Sequence, residues 1–501
     1  MRILSFFIRP LAKIVTNRIY SKHAKATDIQ LDILSQLIQN SKQISFGKDH
    51  GFDTIRTYDD FKKKLKLQDY ESLKKYIDRS RKGEKDVLWK GKVLYFAKTS
   101  GTSSGSKYIP ISRDSMSHHI SAARNSLFAY IAETGKADFF NRKMIFLQGS
   151  PVMDQEHGIP IGRLSGIVYH HVPAWLLSNR LPSYKANCIE DWDEKVAKIV
   201  EESLREDMSL LSGIPPWCLM YFQSLLKKSA KENLRALYPN LQLYVHGGVN
   251  YAPYKDRMSQ LLGEGVDTIE TYPASEGFFA YQDSQKEEGL LLNIDAGIFY
   301  EFVALRDWHT ENPRRLHLGE VRINENYVLI VSTNAGLWAY NTGDTVKFVH
   351  INPYRIVVSG RTKHFISAFG EHVIQEEVEK AISLASTKHQ LEFVEFTVAP
   401  NIQEEKGKSC HLWYIEFKHQ EGKDRAAFMQ DIDALMQEQN EYYRDLRGGG
   451  MLAPATLIEL SANAFRSYFE ESGKLGGQNK VQHLANDRIL ADKLEVYVKK
   501  G

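Results

Sequence analysis

The sequence predicts an α/β fold: a large N-terminal domain of α/β subdomains with a β-barrel-like part, then a small α+β C-terminal domain. Three observations predict it. Strand-like runs alternate with helical ones before residue 290, the stretch 290–360 is mostly strand-like, and a mixed pattern resumes after Gly360-Arg361. With 501 residues, the chain also exceeds the roughly 250–300 that one hydrophobic core supports. The expected domains are 1–360, with a helical segment over 1–90, and 361–501.

The opening residues MRILSFFIRPLAKIVTNRIYSKHAKATD carry Arg2, Arg9, Lys13, Arg18, Lys22 and Lys25, with no acid before Asp28. Arg9 and Pro10 cut the apolar run and no small-residue cleavage pattern follows, which argues against a secretory signal. An amphipathic first helix resting on the body is expected, with an organelle transit peptide as the alternative. Helical periodicity continues through 33–52 and 58–83. KVLYFA (92–97) reads as a strand running into KTSGTSSGSKYIP (98–110), and a long helix follows over 112–135 with Ser112 as its N-cap.

MIFLQGS (144–150), LQLYVHGG (241–248) and DTIETY (267–272) read as strands, with helices over 193–208 and 218–237 between them. Ligands in such folds collect at the carboxyl ends of strands. Residues 290–360 suggest a hairpin-rich sheet or barrel. In the C-terminal part, 392–400, 410–419 and 455–460 read as strands, 424–446 as one long helix and 463–473 as a closing helix. RGGGM (447–451) and GKLGGQNK (473–480) read as mobile loops.

Composition is that of an ordinary globular protein, 43% apolar and 25% charged. The 65 basic and 62 acidic residues leave a net charge of +3, too balanced for a nucleic-acid footprint. Cys188, Cys218 and Cys410 are too few and too scattered for a disulfide framework, which points to a reducing cytoplasm. No run approaches the ~18 apolar residues of a membrane span, and no His/Cys/Asp cluster has zinc spacing.

The Ser/Thr/Gly loop at 98–110 has three readings: a flexible linker, a nucleophilic serine in the G-x-S-x-G of Gly101 to Gly105, or a phosphate cradle. A nucleophile elbow needs a helix directly after the serine. Lys107-Tyr108-Ile109-Pro110-Ile111 instead looks extended, since Pro110 biases its predecessor away from helix. The lipase-like His246-Gly247-Gly248 comes after the serine in the chain instead of before it. A Walker loop needs Gly-Lys-Ser/Thr opening a helix, and Ser106-Lys107-Tyr108 is not that. A linker explains the glycines but not the strand or the lysine. In the cradle, hydroxyls of Thr99, Ser100, Thr102 and Ser103 with nearby amides donate to phosphate oxygens, Gly101 and Gly105 permit close approach, and Lys107 supplies charge.

Two other stretches fit the same ligand. Tyr272-Pro273-Ala274-Ser275-Glu276 follows a strand and offers an aromatic for a purine and a carboxylate for Mg²⁺. TNAGLWAYNTGD (333–344) ends in Asp344 on a tight turn, suited to two ribose hydroxyls. Singly, each has a bland reading: Glu276 as a surface carboxylate, Asp344 as a turn residue, Tyr272 as a core aromatic.

The order of TSGTSSGSK (99–107), YPASE (272–276), the Thr-Gly-Asp of 342–344 and Gly360-Arg361 resembles the adenylate-forming superfamily, and within it the Gretchen Hagen auxin-responsive family of acyl-acid amido synthetases. TNAGLWAYNTGD is similar to that family's T-x-A-G-L-Y-R-Y-x-x-G-D, with Ala339 where the arginine stands. The resemblance implies an adenylate-forming enzyme fold and a ligase using ATP and Mg²⁺. A carboxylic acid becomes an acyl-adenylate with loss of pyrophosphate, and an amine, an amino acid, then displaces AMP.

The resemblance further implies that Thr99, Ser100, Gly101, Thr102, Ser103, Gly105 and Lys107 hold phosphates and that Glu276 holds the metal. Gly247, Gly248 and Val249 line the adenine with Tyr272 stacked on it and Ser275 alongside, Asp344 takes the ribose, and Arg361 reaches ribose or phosphate from the second domain. Lys480 stands where a C-terminal lysine is delivered to the α-phosphate, or is a solvated loop lysine. A rotation of the C-terminal domain between half-reactions follows from the same likeness. His118 and His119 read as ordinary helix-surface or boundary residues, with a place at the border of the acyl pocket as the alternative; that pocket is expected between the helix after the loop and segments near 144–152 and 158–171. The chain is expected to act as a monomer.

The runner-up enzyme is an acid-thiol ligase acting on coenzyme A or a carrier protein; the non-enzyme alternative is a nucleotide-binding scaffold. Lys107→Ala and Glu276→Ala are each expected to weaken ATP use sharply, whereas Ser103→Ala leaves measurable turnover. A dead Ser103→Ala enzyme in steady-state assays would restore the serine-nucleophile reading.

Overall fold

The computed structural model describes residues 2–102, 105–172, 179–189, 191–249, 251, 254–308, 310–362, 365–371, 373–402, 409–418, 424–471 and 481–499. The chain forms two compact units. Met1–Thr99, Lys107–Ile189 and Lys195–Thr362 make the first, and Ser100–Ser106, Glu190–Glu194 and Lys363–Gly501 the second.

Helix α1 (Arg2–His23) does rest on the body. Ala12 is fully buried, with Ile8 and Val15 beside it, in a cluster that includes Phe128, Tyr130 and Phe139. Tyr20 donates its hydroxyl to Asp283 at 2.6 Å and Lys22 pairs with Asp295, fixing the C-terminal end. Helix α2 (Ala26–Ser41) buries Ile33, Leu34, Leu37 and Ile38 at helical spacing. Its buried Gln30 acts as a clamp: Nε2 donates to the carbonyls of Ile294 (2.7 Å) and Ile298 (2.9 Å), and the amide oxygen accepts from Tyr300 N at 2.9 Å.

Strands β1 (Tyr95–Thr102) and β2 (Gly105–Ile111) follow, so the Ser/Thr/Gly loop is drawn into paired strands, and the segment after it is extended as its Pro110 suggested. The next helix, Arg113–Thr134, starts at Ser112, whose hydroxyl accepts from Ser115 N. It stops at Gly135, left-handed at φ 73°. Then come β3 (Lys143–Leu147), β4 (Asp154–Glu156), β5 (Ile159–Gly162), β6 (Arg180–Leu181), β7 (Met208–Gly213), β8 (Leu243–Gly247) and β9 (Asp267–Ala274). The β-rich stretch supplies β10 (Gly277–Tyr281), β11 (Leu290–Leu292), β12 (Ile298–Ala304), β13 (Arg315–His317), β14 (Asn326–Thr333), β15 (Tyr340–Ile351) and β16 (Tyr354–Arg361).

One sheet runs β2-β1-β5-β4; a larger one runs β13-β12-β14-β15-β16-β11-β10-β9-β8-β7-β3-β6. From β9 to β6 its strands are parallel, and from β13 to β9 they are antiparallel. The α/β and β-rich regions of the sequence are thus two halves of one sheet. Every residue of β12 is buried, and so is all of β14 but Asn326.

Three helix expectations need correction. The 193–208 helix ends at Ser203, and MSLLSG after it is the buried strand β7. The 218–237 helix is two: Pro215–Ser229 stops where Ala230 turns left-handed (φ 54°), and Leu234–Leu237 starts on the cap of Asn233. The 424–446 helix breaks at Asn440, which is extended (φ −127°, ψ 110°), ends Arg425–Gln439 and caps Glu441–Gly448 by accepting from Tyr443 N.

The second unit adds β17 (Phe365–Ile366), β18 (Val373–Ile374), β19 (Phe393–Asn401), β20 (Cys410–Phe417) and β21 (Thr456–Glu459). β20 is central, antiparallel to β19 and parallel to β21. Phe396, Trp413 and Ile415 pack with residues of Gln375–His389 and Arg425–Gln439. Leu412 and Tyr414 pack with those of Ala464–Glu471 and Ile489–Leu494. Arg447 and Gly448 of the expected RGGGM loop are helical, and GKLGGQNK lies outside the described residues.

Two stability predictions arise. Gln30→Ala strands three buried backbone groups and is expected to cost about 2–4 kcal/mol in urea unfolding; an unchanged midpoint would refute the clamp. Burial lowers the proton affinity of His23 and of His119 from 6.5 to about 4, so both are neutral in the fold at pH 7. Below pH 6.5 the unfolded chain binds the extra protons, so stability falls toward pH 4 by about 1.4 kcal/mol per unit for each histidine. His119→Leu should flatten that slope by one histidine's share, and an unaltered pH profile would contradict it.

Candidate active site

The parallel strands β8 and β9 end at the same edge of the large sheet, with His246 opposite Glu270 and Gly247 opposite Thr271. Gly247 admits nothing larger, because a Cβ there would sit 2.2 Å from the carbonyl oxygen of Thr271. Gly248 is left-handed (φ 83°) and exposed, and Val249 is half-buried, so this turn offers bare backbone.

β9 continues to Ala274, and Ser275 and Glu276 form the tip of its hairpin with β10, where Ala274 pairs with Gly277. A Cβ on Gly277 would stand 2.4 Å from Ile298 Cδ1, so the buried Ile298 side chain would have to shift to admit it. Burial raises the Glu276 carboxyl above its usual range; Lys107 opposes this, Asp344 reinforces it and Arg361 also opposes it. Lys107, half-buried on β2, lies 6.0 Å from the centre of the Tyr70 ring.

The tightest part of the site is centred on Asp344. Tyr272 donates its hydroxyl to Oδ2 at 2.6 Å, and Arg361 Nε donates to Oδ1 at 2.6 Å. Asp344 and Arg361 are cross-strand partners on β15 and β16. The turn before Asp344 is built by its own side chains: Thr342 Oγ1 accepts from Asp344 N, and Asn341 Oδ1 accepts from Gly343 N, with Gly343 at φ 83°. Thr362 N then donates to Gly343 O at 2.8 Å. Burial, then Asp344, raises the Tyr272 hydroxyl well above its usual pKa, so it stays a donor. The ring of Tyr272 meets Phe279 edge-on at 5.1 Å.

The structure thus brings Tyr272, Asp344 and Arg361 into contact and places Glu276 and Lys107 in the same electrostatic neighbourhood. Arg361 belongs to β16 of the first unit. Thr99 is half-buried; Ser100, Gly101 and Thr102 close β1, and Gly105 opens β2. Ser103 and Lys480 lie outside the described residues. His119 is buried (4% exposed), against the helix-surface expectation, and His118 is half-buried.

Sequence reasoning missed Glu270, His246 as a side chain, Tyr251 and Tyr340. Burial raises the Glu270 carboxyl, and Glu270 stands two residues before Tyr272 on one strand. The period of two puts them on one face, a signal that was available. His246 stacks on Tyr251 with centroids 3.7 Å apart; burial lowers its proton affinity to about 3, and its Nδ1 is buried without a hydrogen-bond partner. Tyr340 is buried beside Glu276, and burial raises its hydroxyl well above the usual value.

Among the described residues, no group of three or more His, Cys, Asp or Glu could hold a metal ion. The raised Glu276 carboxyl nevertheless lacks full compensation by cations. A single carboxylate completed by substrate phosphates and water is a usual set for Mg²⁺, so the residues fit that ion but not a cage built by protein alone.

The sequence pattern of the GH3 family N-terminal domain matches residues 15–183 and 164–267, that of the central domain 291–361, and that of the C-terminal domain 376–489. A curated relative from Nicotiana attenuata, jasmonoyl-L-amino acid synthetase JAR4, is 20% identical over 463 residues, covering 78% of this chain and 79% of the relative. Among solved structures, the GH3.15 acyl acid amido synthetase is 16% identical, with a TM-score of 0.59 over 95% of this chain and 94% of that one. A 2-hydroxyisobutyryl-CoA ligase is 14% identical, with a TM-score of 0.60 over 94% and 93%. These structural likenesses establish the fold of adenylate-forming enzymes. The domain matches, which span both units described above, establish that the chain belongs to the GH3 family.

Proposed function

We propose that the chain is a ligase that activates a carboxylic acid with ATP as an acyl-adenylate, releasing pyrophosphate, and then transfers the acyl group to an amine, an amino acid, giving an amide and AMP. The observation that carries the proposal is the Tyr272–Asp344–Arg361 cluster next to Glu276 and Lys107, at the carboxyl edge of the parallel strands in a GH3-family chain. The names of the relatives, an amino acid synthetase and an acyl acid amido synthetase, support it.

No protein nucleophile is needed, because the substrate carboxylate itself attacks the α-phosphate. Catalysis then consists of positioning and charge stabilisation. The stretch with Thr99, Ser100, Gly101, Thr102, Ser103 and Gly105 donates amides and hydroxyls to phosphate oxygens, and Lys107 adds charge. Gly247, Gly248 and Val249 present backbone to the adenine, with Tyr272 and Ser275 beside it. Asp344 accepts from the ribose hydroxyls through the lone pairs that Tyr272 and Arg361 leave open. Mg²⁺ at Glu276 would neutralise phosphate charge. Residues 1–362 form the ATP- and acid-binding domain, which keeps Arg361, and 363–501 a mobile domain carrying Lys480 to the α-phosphate. The protein acts as a monomer in the cytoplasm, where its three free cysteines stay reduced.

The test is carboxylate-dependent ATP/pyrophosphate exchange with a broad acid panel, followed by an acceptor screen of amino acids against coenzyme A. Exchange followed by amide formation is expected. Thioester without amide would make the chain an acid-thiol ligase, and exchange with no acid would leave a nucleotide-binding scaffold. Asp344→Ala should lower kcat/KM for ATP about 10- to 100-fold, as loss of charged hydrogen bonds predicts.

A further inference from the structure

Helix α1 packs one apolar side against the body and carries a second apolar stripe that is exposed. The inner side packs through Ile8, Ala12 and Val15, and Tyr20 and Lys22 pin the helix end to Asp283 and Asp295. The outer edge carries Phe7, Leu11 and Ile14, which are 65%, 47% and 58% exposed. Spacing of four and three residues sets them in one stripe. Of the fourteen large apolar side chains facing solvent among the described residues, these three lie within eight residues of one helix. Scattered exposed hydrophobes need no explanation, but a helical stripe does.

The charge of the molecule is concentrated on the same element. Arg2, Arg9, Lys13, Arg18, Lys22 and Lys25 precede the first acid, Asp28, whereas the whole chain has a net charge of only +3, so the rest of it is net acidic. Lys13 and Arg18 are exposed; Arg9 is also exposed, 3.6 Å from Asp138. Two copies of such a helix face to face would set like charges against each other, which disfavours a self-interface. A solvated face would be polar throughout.

We propose that α1 docks the protein reversibly on the surface of an anionic lipid bilayer. Phe7, Leu11 and Ile14 enter the interfacial region while Lys13 and Arg18 meet lipid phosphates, as apolar and polybasic signals combine in monotopic helices. The acidic remainder is repelled by the same surface, which orients the molecule with α1 toward the lipid. No helix among the described residues is long and apolar enough to cross a membrane, and surface docking requires none.

The test is co-sedimentation of the full chain with phosphatidylcholine vesicles, with and without phosphatidylglycerol, at low and high salt. Binding to the anionic vesicles is expected to be at least about tenfold tighter and to weaken with salt. Leu11→Ser/Ile14→Ser and Lys13→Glu/Arg18→Glu should each reduce it about tenfold while leaving the melting curve and the ATP/pyrophosphate exchange in solution unchanged. Equal or absent binding to both vesicle types, or variants that bind like the parent, would overturn the proposal. So would a solution dimer that the Leu11→Ser/Ile14→Ser change dissolves, since the stripe would then be a contact between copies.

Discussion

Everything in the first unit depends on the large sheet being curled. Tyr272 and Asp344 lie on β9 and β15, with β10, β11 and β16 between them in hydrogen-bonding order. A flat sheet would hold those two strands about 19 Å apart, four spacings of roughly 4.8 Å. The observed contact is 2.6 Å. The register breaks along the way, in β10 between Phe278 and Ala280 and twice along β15 with β16, are where bulged strands take on extra twist. The carboxylate of Asp344 therefore links two interior strands of one sheet, β9 and β15, that three others separate, and the site lies where they meet.

That geometry explains the electrostatics. Glu276 sits half-buried on the hairpin tip after β9, where burial raises its carboxyl while Lys107, Asp344 and Arg361 act on it. A carboxylate so placed has too little positive charge around it, and that deficit is what a nucleotide's bound cation would relieve. Asp344 differs, since Arg361 and Tyr272 already satisfy one lone pair on each oxygen.

Strands such as β12, β14 and β20 could be read from the sequence because their burial is continuous or nearly so. MSLLSG could not, since it follows an amphipathic helix with no breaker between and its few apolar residues extend the helical period. The breaks at Ala230 and Asn440 were hidden for a similar reason: one is an alanine in a left-handed turn, the other an asparagine whose capping role depends on its own backbone. The order of the site motifs was legible, and with it the family. Their contacts were not. That Tyr272 and Arg361 share one carboxylate depends on the curl of a sheet whose pairings link residues far apart in sequence, and no local pattern carries that.

The small bond from Thr362 N to Gly343 O has a larger meaning. It ties the chain one residue beyond Arg361 back onto the turn that presents Asp344. If the C-terminal residues rotate as proposed, the rotation begins after this tether and leaves the guanidinium with the turn of Asp344. On the reaction proposed above, the arginine is a fixture common to adenylation and amide formation: it stays with the nucleotide through both steps while other groups are exchanged around it.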